Sequence, residues 1–64
     1  MIINGKQKDI KPGITVIEML EELNLSKDKV VVELNFEIIP KNEYDKKVLN
    51  KEDNIEIVSF VGGG

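Results

Sequence analysis

Cysteine, histidine, tryptophan, arginine and alanine are all absent from this 64-residue chain. Without Cys and His there is no disulfide, thiolate nucleophile, imidazole base, structural zinc or iron–sulfur ligation to build. No apolar run exceeds three residues, as in Val30 to Val32, whereas a bilayer-spanning helix needs about 20. Excess positive charge is missing too. Nine lysines stand against twelve carboxylates, for a net charge of −3 and a pI near 4.8. An acidic, dispersed charge pattern argues against nucleic acid and anionic membranes as partners, because phosphate binding needs clustered positive charge. The opening MIINGKQK has no secretory h-region, and with no Cys the expected setting is the cytoplasm. A chain this short supports one domain with one small core and can hardly enclose a buried active site, so an autonomous enzyme is not expected.

What is present is β-branched. Ile and Val supply 16 of the 26 apolar residues, a composition that favours sheet. Asn4-Gly5 is a strong hairpin signal, since both residues tolerate the positive φ of a type I′ turn. It predicts antiparallel strands at about 1–4 and 7–11, broken by Pro12-Gly13. Thr15 and Glu18 form a capping-box pattern, with Ile14 and Met19 placed as a hydrophobic staple. Val16, Leu20 and Leu23 then make one apolar stripe with Ile17 beside it, predicting a helix to about Asn24. Val30 to Leu34 reads as a central strand, and Glu37 to Ile39 as a short extension ending at Pro40. Lys41 to Lys47 is polar, with one helical turn near Tyr44, and Val48-Leu49 precedes another polar turn at Asn50 to Asn54. The last strand, Ile55 to Val61, alternates: Ile55 and Ile57 face one way, and Glu56, Val58 and Phe60 the other. The expected fold class is α+β, a mixed sheet of four to five strands with one helix packed across one face. If the first and last strands lie side by side, the tail leaves from the sheet edge into solvent.

The interior of the sequence offers no reaction centre. Glu18, Glu21 and Glu22 read as a solvated helix face. Glu52-Asp53 lacks the alternation and central Gly of a calcium loop. Tyr44 reads as a core aromatic with its hydroxyl at the rim. The lysines are too scattered for a phosphate site. What remains is Gly62-Gly63-Gly64, which is either a frayed end or a thread. Without Cβ atoms such a thread enters a tunnel closed to any side chain and extends about 10 Å. Its cargo would be the Gly64 α-carboxylate, with an ordinary pKa of about 3.5. That group is anionic and a poor electrophile until another protein activates it, most simply with ATP and Mg²⁺. Domain boundaries follow: 1–61 as the folded unit and 62–64 as a flexible tail.

Leu34 to Gly64, the IINGK opening and the capped helix together resemble the ThiS family of sulfur carriers in thiamine biosynthesis. The family pattern L-N-G-x-I-V-P, then Y/W, then L-x-x-G-D-x-[VI]-E-I-V-x-F-V-G-G-G is met by Leu34, Asn35, Ile38, Pro40, Tyr44, Leu49, Asp53, Ile55 to Val58 and Phe60 to Gly64. Phe36 and Glu52 depart from it, each standing where the family has a turn glycine. The resemblance implies a β-grasp (ubiquitin-like) fold. It also implies that the Gly64 carboxylate is adenylated by the E1-like enzyme ThiF, becomes a thiocarboxylate with cysteine-derived sulfur, and serves thiazole synthase, ThiG. A cysteine desulfurase is a further implied partner. The chain itself binds no cofactor, ATP and Mg²⁺ being used by the activating partner, and nothing demands more than a monomer. Val58, Phe60 and Val61 become candidate partner contacts, although Phe60 reads equally as ordinary core. Two alternatives stand beside this reading. One is a carrier like the small subunit of molybdopterin synthase. The other is a non-catalytic β-grasp binding module with incidental glycines, for which a basic surface would be the mark.

Overall fold

The structure is a computed structural model that describes residues 1–60. These residues form β1 (Ile2–Ile3), β2 (Lys6–Gln7), α1 (Val16–Glu22), β3 (Val30–Leu34), β4 (Glu37–Ile38) and β5 (Asn54–Ser59), with 3₁₀ turns at Lys27–Lys29 and Lys41–Glu43. The five strands make one mixed sheet in the order β2-β1-β5-β3-β4. β1 runs parallel to β5, while β2, β3 and β4 pair antiparallel to their neighbours. The sheet and helix match the α+β expectation, and the first and last strands do lie side by side.

The first hairpin turns through Asn4 (φ 52°) and Gly5 (φ 80°), the double positive φ of a type I′ turn. Its register pairs Ile2 with Gln7 and Ile3 with Lys6. One further bond runs from the Lys8 amide to the Met1 carbonyl at 3.0 Å. The strand expected at 7–11 therefore shortens to Lys6–Gln7, because residues 9–11 run past the end of β1 and find nothing to pair with.

The capping box is realised, and the helix ends at Glu22, two residues before the expected Asn24. The Thr15 amide donates to Glu18 Oε1 at 2.8 Å and the Glu18 amide to Thr15 Oγ1 at 3.3 Å, so two orphan donors are satisfied reciprocally. At the other end Asn24 is left-handed (φ 59°), and the Leu25 amide reaches back to Leu20 O at 2.9 Å and the Asn24 amide to Glu21 O at 3.1 Å. This Schellman closure ends a helix of seven residues, too short to persist unless docked. It is docked: Val16, Met19 and Leu20 are fully buried, and Ile14, Ile17 and Leu23 pack against the same core. Val32, Leu34, Ile55 and Ile57 meet them from the inner face of the sheet, with Tyr44 and Leu49 closing the side. Tyr44 is core, as its sequence context suggested.

Val30–Leu34 is interior, as expected of a central strand, lying between β5 and β4, while β5 takes the middle place with β1 on one side and β3 on the other. One expectation about the sheet is corrected. Glu37-Ile38 does not extend β3. It returns along it, because Asn35 (φ 50°) and Phe36 (φ 72°) reverse the chain. Phe36 holds this left-handed conformation although it is bulky and 82% exposed. Glu52, the other departure from the family pattern, is not left-handed, so a side chain there costs nothing.

Both hairpin asparagines also grip β5. Asn4 Oδ1 accepts from the Ile57 amide at 2.7 Å. Asn35 Oδ1 accepts from the Asn54 amide at 2.9 Å, and its Nδ2 donates to Asp53 Oδ1 at 3.1 Å. On the surface, Lys41 Nζ pairs with Asp28 Oδ1 at 2.9 Å and holds that carboxyl below its ordinary value, joining the two 3₁₀ turns.

Phe36→Gly should stabilise the fold. Relief of about 1–3 kcal/mol of backbone strain outweighs the roughly 0.5–1 kcal/mol entropic penalty of glycine, and a gain near 1 kcal/mol would raise Tm by about 4–8 °C. Asn4→Gly keeps the turn but removes the acceptor for the Ile57 amide. Chemical denaturation should register a loss of roughly 1–2 kcal/mol; an unchanged midpoint would mean that the side chain contributes nothing beyond its φ.

Candidate functional site

The register of the sheet sorts its residues into two faces. Opposed pairs across β3 and β5 are Val30–Ser59, Val31–Val58, Val32–Ile57, Glu33–Glu56 and Leu34–Ile55. Val32, Leu34, Ile55 and Ile57 point to the helix and are buried. Val31, Glu33, Glu56 and Val58 therefore point away, onto a face that no element among the described residues covers. Phe60 follows Val58 with the same parity, and its amide donates to Lys29 O at 2.9 Å, so the β3–β5 pairing continues one step beyond Ser59. Val58 is 57% and Phe60 44% exposed. Phe60 is thus not core: it lies at the end of the open face from which the chain continues into Val61.

Val61, Gly62, Gly63 and Gly64, the remaining candidate site residues, lie outside the described residues.

The open face is larger than Val58 and Phe60. Ile38 of β4, opposite Glu33, is 67% exposed, and Ile2 of β1, opposite Asn54, is 41% exposed. These residues were not legible as one surface because they come from four strands whose order is set by long-range pairing. The available signal was the alternation of β3: Val31 and Glu33 are out of phase with the buried Val30, Val32 and Leu34.

The interior candidates resolve as structural. Glu18 caps the helix. Asp53 accepts from the Asn50 amide at 2.7 Å as well as from Asn35, so its carboxylate organises a turn. No group of three or more metal-ligating side chains occurs among the described residues. A surface hollow of about 410 Å³ beside the helix is bordered by Lys11, Ile14 and the three helix carboxylates, an open rim without a reactive pair. No helix of the described chain is long and apolar enough to cross a membrane.

A five-stranded mixed sheet holding one helix against its inner face, with an exposed apolar outer face, defines a ubiquitin-like β-grasp protein. The particular family follows from comparison with known proteins. The ThiS family model matches residues 1–64. The sulfur carrier protein ThiS of Bacillus subtilis is 43% identical over 63 residues, covering 97% of this chain and 96% of that one. The crystal structure of the thiamine biosynthesis protein ThiS from Geobacter metallireducens superposes with a TM-score of 0.79 at 32% identity, covering 98% of this chain and 96% of the other. A thiazole synthase of Paramagnetospirillum magneticum is 42% identical over all 64 residues, which make up 20% of its length. A second thiazole synthase, from Magnetococcus marinus, matches at 36%. The chain spans about a fifth of the length of these two synthases. The chain belongs to the ThiS family.

The exposure of Phe60 separates its two readings by experiment. Phe60→Ala should lower Tm by no more than a few degrees, since little buried area is lost; a large fall in Tm would return Phe60 to the core.

Proposed function

We propose that this chain is a protein co-substrate that carries sulfur on its Gly64 carboxylate for assembly of the thiazole ring of thiamine. The supporting observation is the placement of β5. The strand that leads into Gly62-Gly63-Gly64 lies at the centre of the sheet, and its last outward-facing residues, Val58 and Phe60, are exposed beside the exit. A partner that grips this face is thereby positioned to receive the glycine thread.

The chemistry follows from the state of the carboxylate. A Gly64 oxygen attacks the α-phosphorus of ATP on an E1-like enzyme of the ThiF kind, expelling pyrophosphate and forming an acyl-adenylate. A cysteine desulfurase takes the sulfur of cysteine as a persulfide, a thiol reductant supplies the two electrons that release it as sulfide, and the sulfide displaces AMP and leaves a thiocarboxylate. That soft nucleophile is delivered to thiazole synthase, ThiG. The thiazole synthases that contain a segment like this chain support a direct handover between carrier and synthase. ATP and Mg²⁺ belong to the activating enzyme. All acid–base groups are supplied by partners, so a chain without His or Cys suffices, and the carrier is acted upon rather than catalysing. It works as a monomer in the cytoplasm, without nucleic acid or membrane.

Incubation with the activating enzyme, ATP and a cysteine-derived sulfur source should add about 16 mass units, sulfur for oxygen, confined to the C-terminal peptide. Deletion of Gly63-Gly64 should abolish that gain and leave Tm unchanged. A truncated chain that still acquires sulfur sinks the proposal.

A further inference from the structure

Asn4-Gly5 brings together a side chain and a nucleophile that can react with each other. Both residues are exposed, and nothing in the molecule comes within 4 Å of where a Cβ on Gly5 would stand. The Gly5 amide donates to no backbone acceptor among the described residues. A glycine nitrogen this open can attack Cγ of the asparagine before it. The Cγ–Nδ2 bond breaks, ammonia leaves with the amide proton, and a five-membered succinimide closes. Water then opens the ring. Cleavage at Cγ gives aspartate; cleavage at the main-chain carbonyl carbon gives isoaspartate, whose backbone runs through Cβ and Cγ. One water enters and one ammonia leaves, with no redox change.

The docked hairpin blocks this reaction twice. In a type I′ turn the first central residue has ψ of about +30°. Around the Cα–C axis this turns the Gly5 nitrogen roughly 150° away from Asn4 Cβ, whereas ring closure needs the two on the same side. The Asn4 side chain is also held elsewhere. Its Oδ1 accepts from the Ile57 amide at 2.7 Å, and its own amide donates to Ile55 O at 2.9 Å. Cγ reaches the Gly5 nitrogen only after the turn and the grip on β5 are both given up. That fastening is slight: β1 pairs with β5 over two residues, Ile2–Asn54 and Ile3–Ile55, and β2 is a two-residue edge strand. Elements so short open locally without global unfolding.

We propose that Asn4-Gly5 is a modification site gated by the fold: water converts it to isoaspartate when the first hairpin leaves β5, and docking protects it. The two products then diverge. Aspartate keeps an oxygen for the Ile57 amide, and the turn closes again. Isoaspartate adds a main-chain carbon, so the two-residue turn no longer fits its register. The hairpin stays off, and β5 is held from the β3 side alone.

The test ages the full chain at neutral pH, folded and unfolded in guanidinium chloride. Intact mass, ammonia release and enzymatic methylation of isoaspartate in the N-terminal peptide are followed. Unfolded, the chain should gain about one mass unit at Asn4 ahead of Asn24, Asn35, Asn42, Asn50 and Asn54, whose following residues all carry side chains. Folded, the rate at Asn4 should fall at least about a hundredfold, and it should stay flat in guanidinium well below the unfolding midpoint. Ile3→Val thins the buried contact of β1 without touching the turn. It should raise the folded-state rate about two- to tenfold and leave the unfolded-state rate unchanged. The isoaspartate form, separated by chromatography, should melt at least about 5 °C lower, whereas Asn4→Asp should stay within about 2 °C of the unaltered chain. Equal rates in the folded and unfolded chains, or a mass gain that persists in Asn4→Gly, overturns the proposal. So does a folded-state rate that climbs steeply with dilute guanidinium, the mark of global unfolding, or an isoaspartate form that melts like the unaltered chain.

Discussion

The two-sided pairing of β5 is the constraint on which the rest of the molecule depends. This strand is parallel to β1 and antiparallel to β3, and the asparagines of both hairpin turns bind its backbone directly, Asn4 at Ile57 and Asn35 at Asn54. The residues that reverse the chain are thus also those that hold the central strand. A short helix and two-residue edge strands would be marginal alone. Docked around a strand fixed from both sides, they close a core in which Val16, Met19, Leu20, Val32, Leu49 and Ile55 are fully buried. Fixing β5 also fixes the place of Val58 and Phe60 at the end of the open face.

The two faces of the sheet divide the labour. One is spent on stability, covered by the helix and by Tyr44 and Leu49. The other is left bare and apolar around the Glu33–Glu56 pair. A domain of this size has little interior in which to shelter reactive groups, and its described core is apolar throughout.

Stability is also given up in places. Phe36 adopts a left-handed turn conformation that a glycine would hold with less strain, and Glu33 faces Glu56 across the ladder. Neither choice improves packing, since Phe36 is almost fully exposed and the two carboxylates have no cationic partner among the described residues. Features that cost folding energy and have no internal beneficiary are where recognition by another molecule is to be sought.

Local signals carried far in this sequence wherever the determining partners are close along the chain. The Asn4-Gly5 turn, the Thr15–Glu18 capping box, the inward phase of Ile55 and Ile57 and the existence of one sheet-covering helix were all legible, because backbone geometry and capping depend on residues a few positions apart. The ThiS resemblance was legible too, since it rests on a motif that runs through the same turns and the last strand. Strand order was not fully legible. That β5 takes the middle place between β1 and β3 follows from register between distant segments, whereas Glu37-Ile38 returns because Asn35 and Phe36 take positive φ and β2 stops at Gln7 where its partner β1 ends. The same holds for the open face: Ile2, Val31, Glu33, Ile38, Glu56, Val58 and Phe60 are scattered from one end of the chain to the other, and only tertiary pairing makes them neighbours. The sequence by itself determined the turns, the cap, the helix face and the chemical poverty of the side chains. The tertiary structure alone decided which strand lies at the centre and which residues share the exposed surface, because side-chain period sets only which residues of one strand share a face, while long-range hydrogen bonding sets which strands stand beside it.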